Sequence, residues 1–489
     1  MNGLPRWISR TLRYAAVLIV AVPVTIVLVF AVQSRLRLPE LKPWHRLDLA
    51  ELDADNPPAS FAEYRALEEQ LFADIREQIL ENPAAADTLA VGRFTPGSRV
   101  AQLAFDTPFN RSVELEPAGE PRGAAVLVHG LTDSPYSMRV LGQLLQSQGY
   151  YVILMRMPGH GTVPAGLDRV RWQDWYAALE ITAKHAAATV GPDKPLVLGG
   201  FSTGAALCAL YSVRSLDDAA LPRPDRLYLM SAAIGISPFA FMTNIVSKLS
   251  FLPMFEKSRW LDVLPEYDPY KYNSFPVNAG NQIYKLTHVL NDEMLDAADR
   301  GRLGDMPRTV MFQSIVDSTV TAAEVVRGML DLLPEGGHEL VVFDVNRSEV
   351  VQGLLAAGPL QDLESLRNAT GRPFAITLIG TASPGATGAD AQALAAYHRD
   401  AGGSEVTVEP LPFTWPAGVF SLGHTALPVP SDDPVYGISP PPGTRFNLGA
   451  VALRGESGAL VISLGTFARL RSNPFFDVIR DKVIETLPQ

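Results

Sequence analysis

The segment Leu196-Val-Leu-Gly-Gly-Phe-Ser-Thr-Gly204, followed by Ala-Ala-Leu-Cys-Ala-Leu-Tyr, constrains this chain more than any other. Its first residues are largely apolar and read as a buried parallel strand, and the Ala/Leu-rich continuation reads as a helix. Between the two stands Gly200-Phe-Ser-Thr-Gly204, a G-x-S-x-G pentapeptide. A serine that presents its hydroxyl at the tip of a strained strand-to-helix turn needs neighbours without a Cβ on both sides, which Gly200 and Gly204 supply. Ser202 is therefore a candidate nucleophile. The pentapeptide alone is a weak signal, and its strand and helix flanks carry the weight.

The chain of 489 residues is long enough for a large core, and its 41 Lys and Arg against 52 Asp and Glu argue against a nucleic-acid surface. The charge changes sign along it: residues 1–46 hold net +6, and the remainder net −17. Within the basic part, Tyr14 to Val32 is an uncharged run of 19 residues, enough for one membrane-crossing helix. With Arg6, Arg10 and Arg13 ahead of it, the expectation is a cytoplasmic N-terminus (1–13), a single transmembrane anchor (14–32) in the cytoplasmic membrane, and a body on the periplasmic or extracellular side. A cleaved signal peptide ending near Val29-Phe-Ala31 is the alternative. Cys208, the single cysteine, falls in the helix after Ser202 and reads as a small buried residue.

Residues 33–95 read as a linker, proline-rich from 38 to 60, and an amphipathic helix from Ser60 to about Leu80 with a Ser60/Glu63 capping box. That helix could dock on the body, pair with another copy or lie on a membrane. The main domain then opens with expected short strands at Arg99–Phe105 and Ser112–Leu115. Ala124 to Val128 is a fully apolar strand ending in His129-Gly130-Leu131-Thr132-Asp133, and Tyr150 to Met157 is a second, ending in Pro158-Gly-His-Gly161. His160 has no second metal ligand at suitable spacing and reads as a loop histidine. Further strands are expected at Asp225–Ala233, Thr309–Ile315, Glu339–Val345, Phe374–Ile379 and Glu405–Leu411, with helices over Trp172–Thr189, Asp390–Ala401 and the segment after Pro474.

His129-Gly130, Pro158-Gly-His-Gly161 and Gly200-x-Ser-x-Gly204, in this order, resemble the α/β-hydrolase superfamily, in the branch of monoacylglycerol lipases, carboxylesterases and serine aminopeptidases. The resemblance covers residues 96–489. It implies a mostly parallel sheet of about eight strands with helices on both faces, and a triad in the chain order Ser, Asp or Glu, His. It also places the oxyanion donors at the amides of Leu131 and Thr203, and makes His129 a bracing residue rather than a base. Thr203 departs from the Met or Leu often found there, which leaves backbone donation intact.

After Ser202, Asp317 follows the apolar strand Thr309–Ile315 and is the candidate acid, with a helix N-cap as its alternative role. Among the later histidines, His338 precedes a strand at the far end of the sheet and His398 falls in a polar-faced helix. His424, in Ser421-Leu-Gly-His-Thr425, has the loop context a base needs. Asp317 and His424 are 107 residues apart, so an extra unit is inserted at about 347–404, and either Glu339–Val345 or Glu405–Leu411 is the last standard strand. A second insertion, 236–306, carries Phe239, Phe241, Met242, Ile245, Leu249 and Phe251, and in such a fold reads as a cap that either receives an acyl chain or packs on the body.

The expected activity is hydrolysis of a small-molecule or lipid carboxylic ester by Ser202, His424 and Asp317 through an acyl-enzyme, with no cofactor or metal required. A thioesterase, amidase, peptidase or acyltransferase would use the same triad. A non-catalytic membrane-tethered scaffold is the alternative from another class.

Overall fold

The computed structural model describes residues 38–235, 253–385, 392–451 and 463–488, together with positions 21, 25 and 29. Its strands are β1 (Val113–Leu115), β2 (Gly123–Val128), β3 (Tyr150–Met155), β4 (Leu196–Phe201), β5 (Arg226–Met230), β6 (Trp260–Asp262), β7 (Phe275–Pro276), β8 (Arg308–Ser314), β9 (Glu339–Phe343), β10 (Ala375–Thr381), β11 (Ala393–Arg399) and β12 (Thr407–Thr414). Ten of these form one sheet in the order β1-β3-β2-β4-β5-β8-β9-β10-β11-β12, and β6 pairs with β7 separately.

The central strands β2 and β4 are buried along their whole length, and consecutive side chains enter opposite cores. Ala124, Val126 and Val128 face one core while Ala125 and Leu127 face the other. The first core is covered by the helices Trp172–Val190, Thr203–Ser215 and Val277–Asp299, and the second by Arg139–Ser147 and Phe476–Thr486. Each large aliphatic chain buried this way contributes about 2 kcal/mol. Pairing is parallel from β3 through β10, and β1, β11 and β12 run antiparallel to their neighbours. The order reverses at β3-β2-β4, so a crevice opens outside the carboxyl ends of β2 and β4.

Several expectations are corrected. The expected N-terminal transmembrane helix is not supported: among the described residues no helix is long and apolar enough to cross a membrane, and the run 14–32 lies outside them but for three positions. Arg99–Phe105 is a helix, capped by the Ser98 hydroxyl, which accepts from Ala101 N at 3.0 Å; Val100, Ala101, Ala104 and Phe105 are buried at helical spacing. The expected helix Asp390–Ala401, with His398 in it, is instead strand β11, hydrogen-bonded between β10 and β12. Pairing on both edges overrides the helix preference of Ala393, Ala395 and Ala396. Among the described residues the sheet therefore has ten strands rather than eight. β9 pairs in parallel with β8, and β10, β11 and β12 extend the sheet beyond it. In the insertion 236–306, the apolar residues Phe239 to Phe251 lie outside the described residues, and Val277–Asp299 is a body helix whose Leu286, Leu290 and Met294 are buried in the first core.

The N-terminal stretch is clasped to the body. Leu41, Trp44 and Leu52 are buried, and the helix Phe61–Ile75 begins at Ser60, whose hydroxyl accepts from Glu63 N. Glu68 from this helix and Glu51 before it both reach Arg156 at the end of β3, at 3.0 and 2.9 Å. Glu68 also accepts from the amide and hydroxyl of Ser112, and Tyr64 donates its hydroxyl to the Arg156 carbonyl at 2.7 Å. Arg156 in turn donates to the carbonyl of His160 at 2.9 Å, so the clasp reaches the loop after β3.

Candidate active site

Ser202 follows β4 at φ 55° and ψ −113°, in the positive-φ region that L-residues enter at a cost. The turn is over-determined by its surroundings. Ser202 N donates to Met230 O at 2.9 Å, and Ser202 O accepts from Ala206 N and Ala233 N at 3.1 and 3.2 Å. A Cβ on Gly200 would sit 2.4 Å from Ala205 N, and one on Gly204 would sit 2.2 Å from Val128 O. Both glycines are thus required by close backbone approach. Ser202 occupies the N-cap position of the helix Thr203–Ser215, yet its hydroxyl makes no capping bond.

That hydroxyl is directed at His424, whose Nε2 lies 3.0 Å from Ser202 Oγ. On the other side of the ring, Nδ1 lies 2.7 Å from Asp317 Oδ2. All three residues are buried, and the Phe201 ring packs on the imidazole with centroids 5.1 Å apart. The histidine sits at the start of a short turn, His424–Ala426, and Ser314 Oγ at the end of β8 donates to Leu422 O at 2.8 Å. Asp317 divides its oxygens: Oδ1 accepts from the amides of Thr319 and Val320 at 2.9 and 3.1 Å, while Oδ2 takes His424 and, at 3.4 Å, Gln313 Nε2. Burial pushes this carboxyl up, but the His424 bond and charge and the two amides outweigh it and hold it below the usual carboxylate range. The cap of the following helix is Thr321, not Asp317.

The loop after β2 runs alongside: a Cβ on Gly130 would sit 2.8 Å from the Phe201 ring and 3.3 Å from Ser202 Cβ. Among the described residues neither Leu131 N nor Thr203 N has a hydrogen-bond partner, and the buried Thr203 Oγ1 has none either. His129 braces this loop. Its Nε2 accepts from Met157 N at 3.1 Å, its Nδ1 pairs with Gly130 O at 2.9 Å, and burial with the neighbouring His160 holds its pKa well below the usual value. His338 lies at the opposite end of β9, accepting from Thr309 N, and His398 on β11 pairs with Thr377. Cys208 is buried, and burial pushes its thiol well up.

Ser202, His424 and Asp317 are thus brought together, while His338 and His398 are not. Sequence reasoning missed Ser314 and Gln313, which fasten the histidine loop and the acid. Ser314 pairs with a loop 108 positions away, which has no local signature, and Gln313 reaches Asp317 and Val320 only through the turn that follows its own strand.

Two cavities flank the site. One of about 440 Å³, lined by Ile315, Val316, Val345, Leu354, Leu355 and Phe420, adjoins the Asp317 loop and is mostly apolar. The other, of about 170 Å³, is bounded by Asp133, Lys271, Tyr272, Thr425, Arg469 and Arg471 among others.

Residues 125–352 match the family described as the alpha/beta hydrolase family. A thermostable monoacylglycerol lipase of Bacillus sp. (strain H-257) is 44% identical over 55 residues, which are 11% of this chain and 22% of that one. The chain thus matches about a fifth of that relative's length. Similar solved structures include one of two metagenome-derived lipolytic enzymes, at 20% identity and TM-score 0.39, covering 54% of this chain and 99% of that one. The monoacylglycerol lipase of Paleococcus ferrophilus aligns at 16% identity and TM-score 0.36, covering 48% and 88%. A soluble variant of monoglyceride lipase from Saccharomyces cerevisiae aligns at 13% and 0.37, covering 48% and 82%.

Proposed function

We propose that this chain, whose residues 125–352 match the alpha/beta hydrolase family, is a serine hydrolase that cleaves carboxylic esters with an apolar acyl group. The observation that carries this reading is the hydrogen-bonded series Ser202–His424–Asp317, at 3.0 and 2.7 Å. Ser202 Oγ attacks the ester carbonyl as His424 Nε2 takes its proton. Asp317, ionised and bonded to Nδ1, fixes the tautomer that leaves Nε2 free to accept and offsets the charge of the imidazolium. The unpartnered amides of Leu131 and Thr203 receive the developing oxyanion. His424 then gives its proton to the departing alkoxide, leaving an acyl group on Ser202. Water, deprotonated by the same nitrogen, releases the acid and restores the serine. The apolar cavity lined by Val316, next to Asp317, is the candidate place for an acyl chain on the acid's side of the triad.

The test is hydrolysis of short and medium 4-nitrophenyl esters by the full chain, beside Ser202→Ala and His424→Ala. Loss of turnover by at least about 10³-fold in both variants supports the mechanism. No turnover by the wild type, with no labelling by a fluorophosphonate, would overturn it.

A further inference from the structure

The smaller cavity has a charge pattern that an apolar acyl ester does not call for. It opens between the loop that follows β2, which carries Asp133, and the residue after the candidate base, Thr425. Tyr272 on its wall is bonded through its amide to Thr132 O at 2.8 Å, so the wall is fixed to the loop that holds Leu131. Three cations line the space: Lys271, Arg469 and Arg471.

One of them is already compensated. Arg471 Nη1 lies 3.2 Å from Asp268 Oδ2, a fully buried carboxylate that also accepts from the amides of Tyr270 and Lys271 and the hydroxyl of Tyr436. Lys271 and Arg469 differ: among the described residues neither has a carboxylate at ion-pairing distance. The Arg469 side chain runs beside Gly423, next to His424. Asp133 is the cavity's own acid. Burial pushes its carboxyl up to about 6, Lys271 opposes that, and the charge of Asp268 adds to it. Among the described residues, one carboxylate of the cavity therefore faces two cations that form no ion pair of their own. The pattern is not a by-product of a basic surface, because the chain as a whole carries net −11. An acidic protein repels an anionic ligand at long range, so a local pair of cations beside Gly423 and Thr425, the neighbours of the candidate base, is the feature that would admit one.

We infer that the ester taken by this site carries an anionic group, a carboxylate or phosphate set several bonds from the scissile carbonyl, which is held between Lys271 and Arg469. This rests on the ester-hydrolase reading above. The anion belongs either to the acyl part or to the alcohol part, and matched substrates separate the two.

The experiment measures kcat/KM of the full chain on two pairs of esters. The acyl pair is 4-nitrophenyl hexanoate and mono-4-nitrophenyl adipate; the alcohol pair is 4-carbamoylphenyl butyrate and 4-carboxyphenyl butyrate. In one pair the anionic member is preferred about tenfold, the effect of one charge-assisted hydrogen bond. Lys271→Gln and Arg469→Gln each bring that ratio toward one, whereas the exposed, remote Lys184→Gln leaves it at the wild-type value. The ratio is taken within each variant, so the fraction folded does not affect it. Three results overturn the inference while leaving the hydrolase reading intact: turnover with no anionic preference in either pair, a preference untouched by both cavity variants, or one lowered equally by Lys184→Gln. Absence of turnover on all four esters, with no fluorophosphonate labelling, removes both.

Discussion

Ser314, the last residue of β8, donates its hydroxyl to Leu422 O across 2.8 Å and so ties the histidine loop to the strand that leads into Asp317. Base and acid thus share one mechanical frame although 107 residues separate them. Ser314→Ala is expected to lower kcat about tenfold with KM unchanged, because a loosened imidazole disturbs the reacting geometry more than it disturbs substrate binding. Steady-state kinetics on a 4-nitrophenyl ester, with the active sites counted by fluorophosphonate labelling, checks this; an unchanged kcat per active site would show that the bond serves only folding.

Gly204 is expected to tolerate no side chain. A Cβ there would press on Val128 O and His129 O, at 2.2 and 2.5 Å, and push the loop carrying Leu131 away from Ser202. Gly204→Ala should lower kcat/KM by about 100-fold, the scale of losing one oxyanion donor. Fluorophosphonate labelling rates measure the same loss at the serine itself.

The clasp on Arg156 gives a stability prediction. Glu68→Ala leaves the buried guanidinium with Glu51 alone and is expected to cost about 3–5 kcal/mol in a denaturant titration. Replacing all three charges, Arg156→Met with Glu68→Leu and Glu51→Leu, should cost less than the single change, since no charge is then left buried without its partner. A triple variant less stable than Glu68→Ala would contradict this.

Glu266 sets a pH dependence. Burial pushes its carboxyl from 4.5 up to about 7, against the amides of Asn273 and Ser274 that favour the ionised form. The folded pKa is above the unfolded one, so its stabilising contribution is complete below pH 4.5 and lost as pH rises through 7. The wild type should therefore lose roughly 3 kcal/mol relative to Glu266→Gln between those values. Unfolding curves of both proteins at several pH values give the difference directly.

The strand, turn and helix around Ser202 were legible in the sequence because their determinants are local: an apolar run, two glycines and an alanine-rich segment within twenty residues. Asp317 and His424 could be singled out by loop context, but their mutual distance could not. Arg99–Phe105 and Ala393–Arg399 were misread for opposite reasons. In the first, short apolar spacing imitates alternation although Ser98 caps a helix; in the second, alanines that favour a helix are claimed by strand pairing on both edges. The Arg156 clasp and the Lys271–Arg469 cavity had no signature at all, since each gathers residues from segments about a hundred or more positions apart.

The sheet's far edge has a consequence beyond catalysis. Among the described residues β12 is the outermost strand and largely exposed, with Val408 open to solvent, which is how a sheet recruits further chains at high concentration. Its sequence Thr407-Val-Glu-Pro-Leu-Pro-Phe-Thr414 contains two prolines, each a position with no N–H to offer an incoming strand. The enlarged sheet is therefore terminated chemically as well as spatially, and replacing Pro410 and Pro412 would convert a stopped edge into one that propagates, at the expense of solubility rather than of turnover.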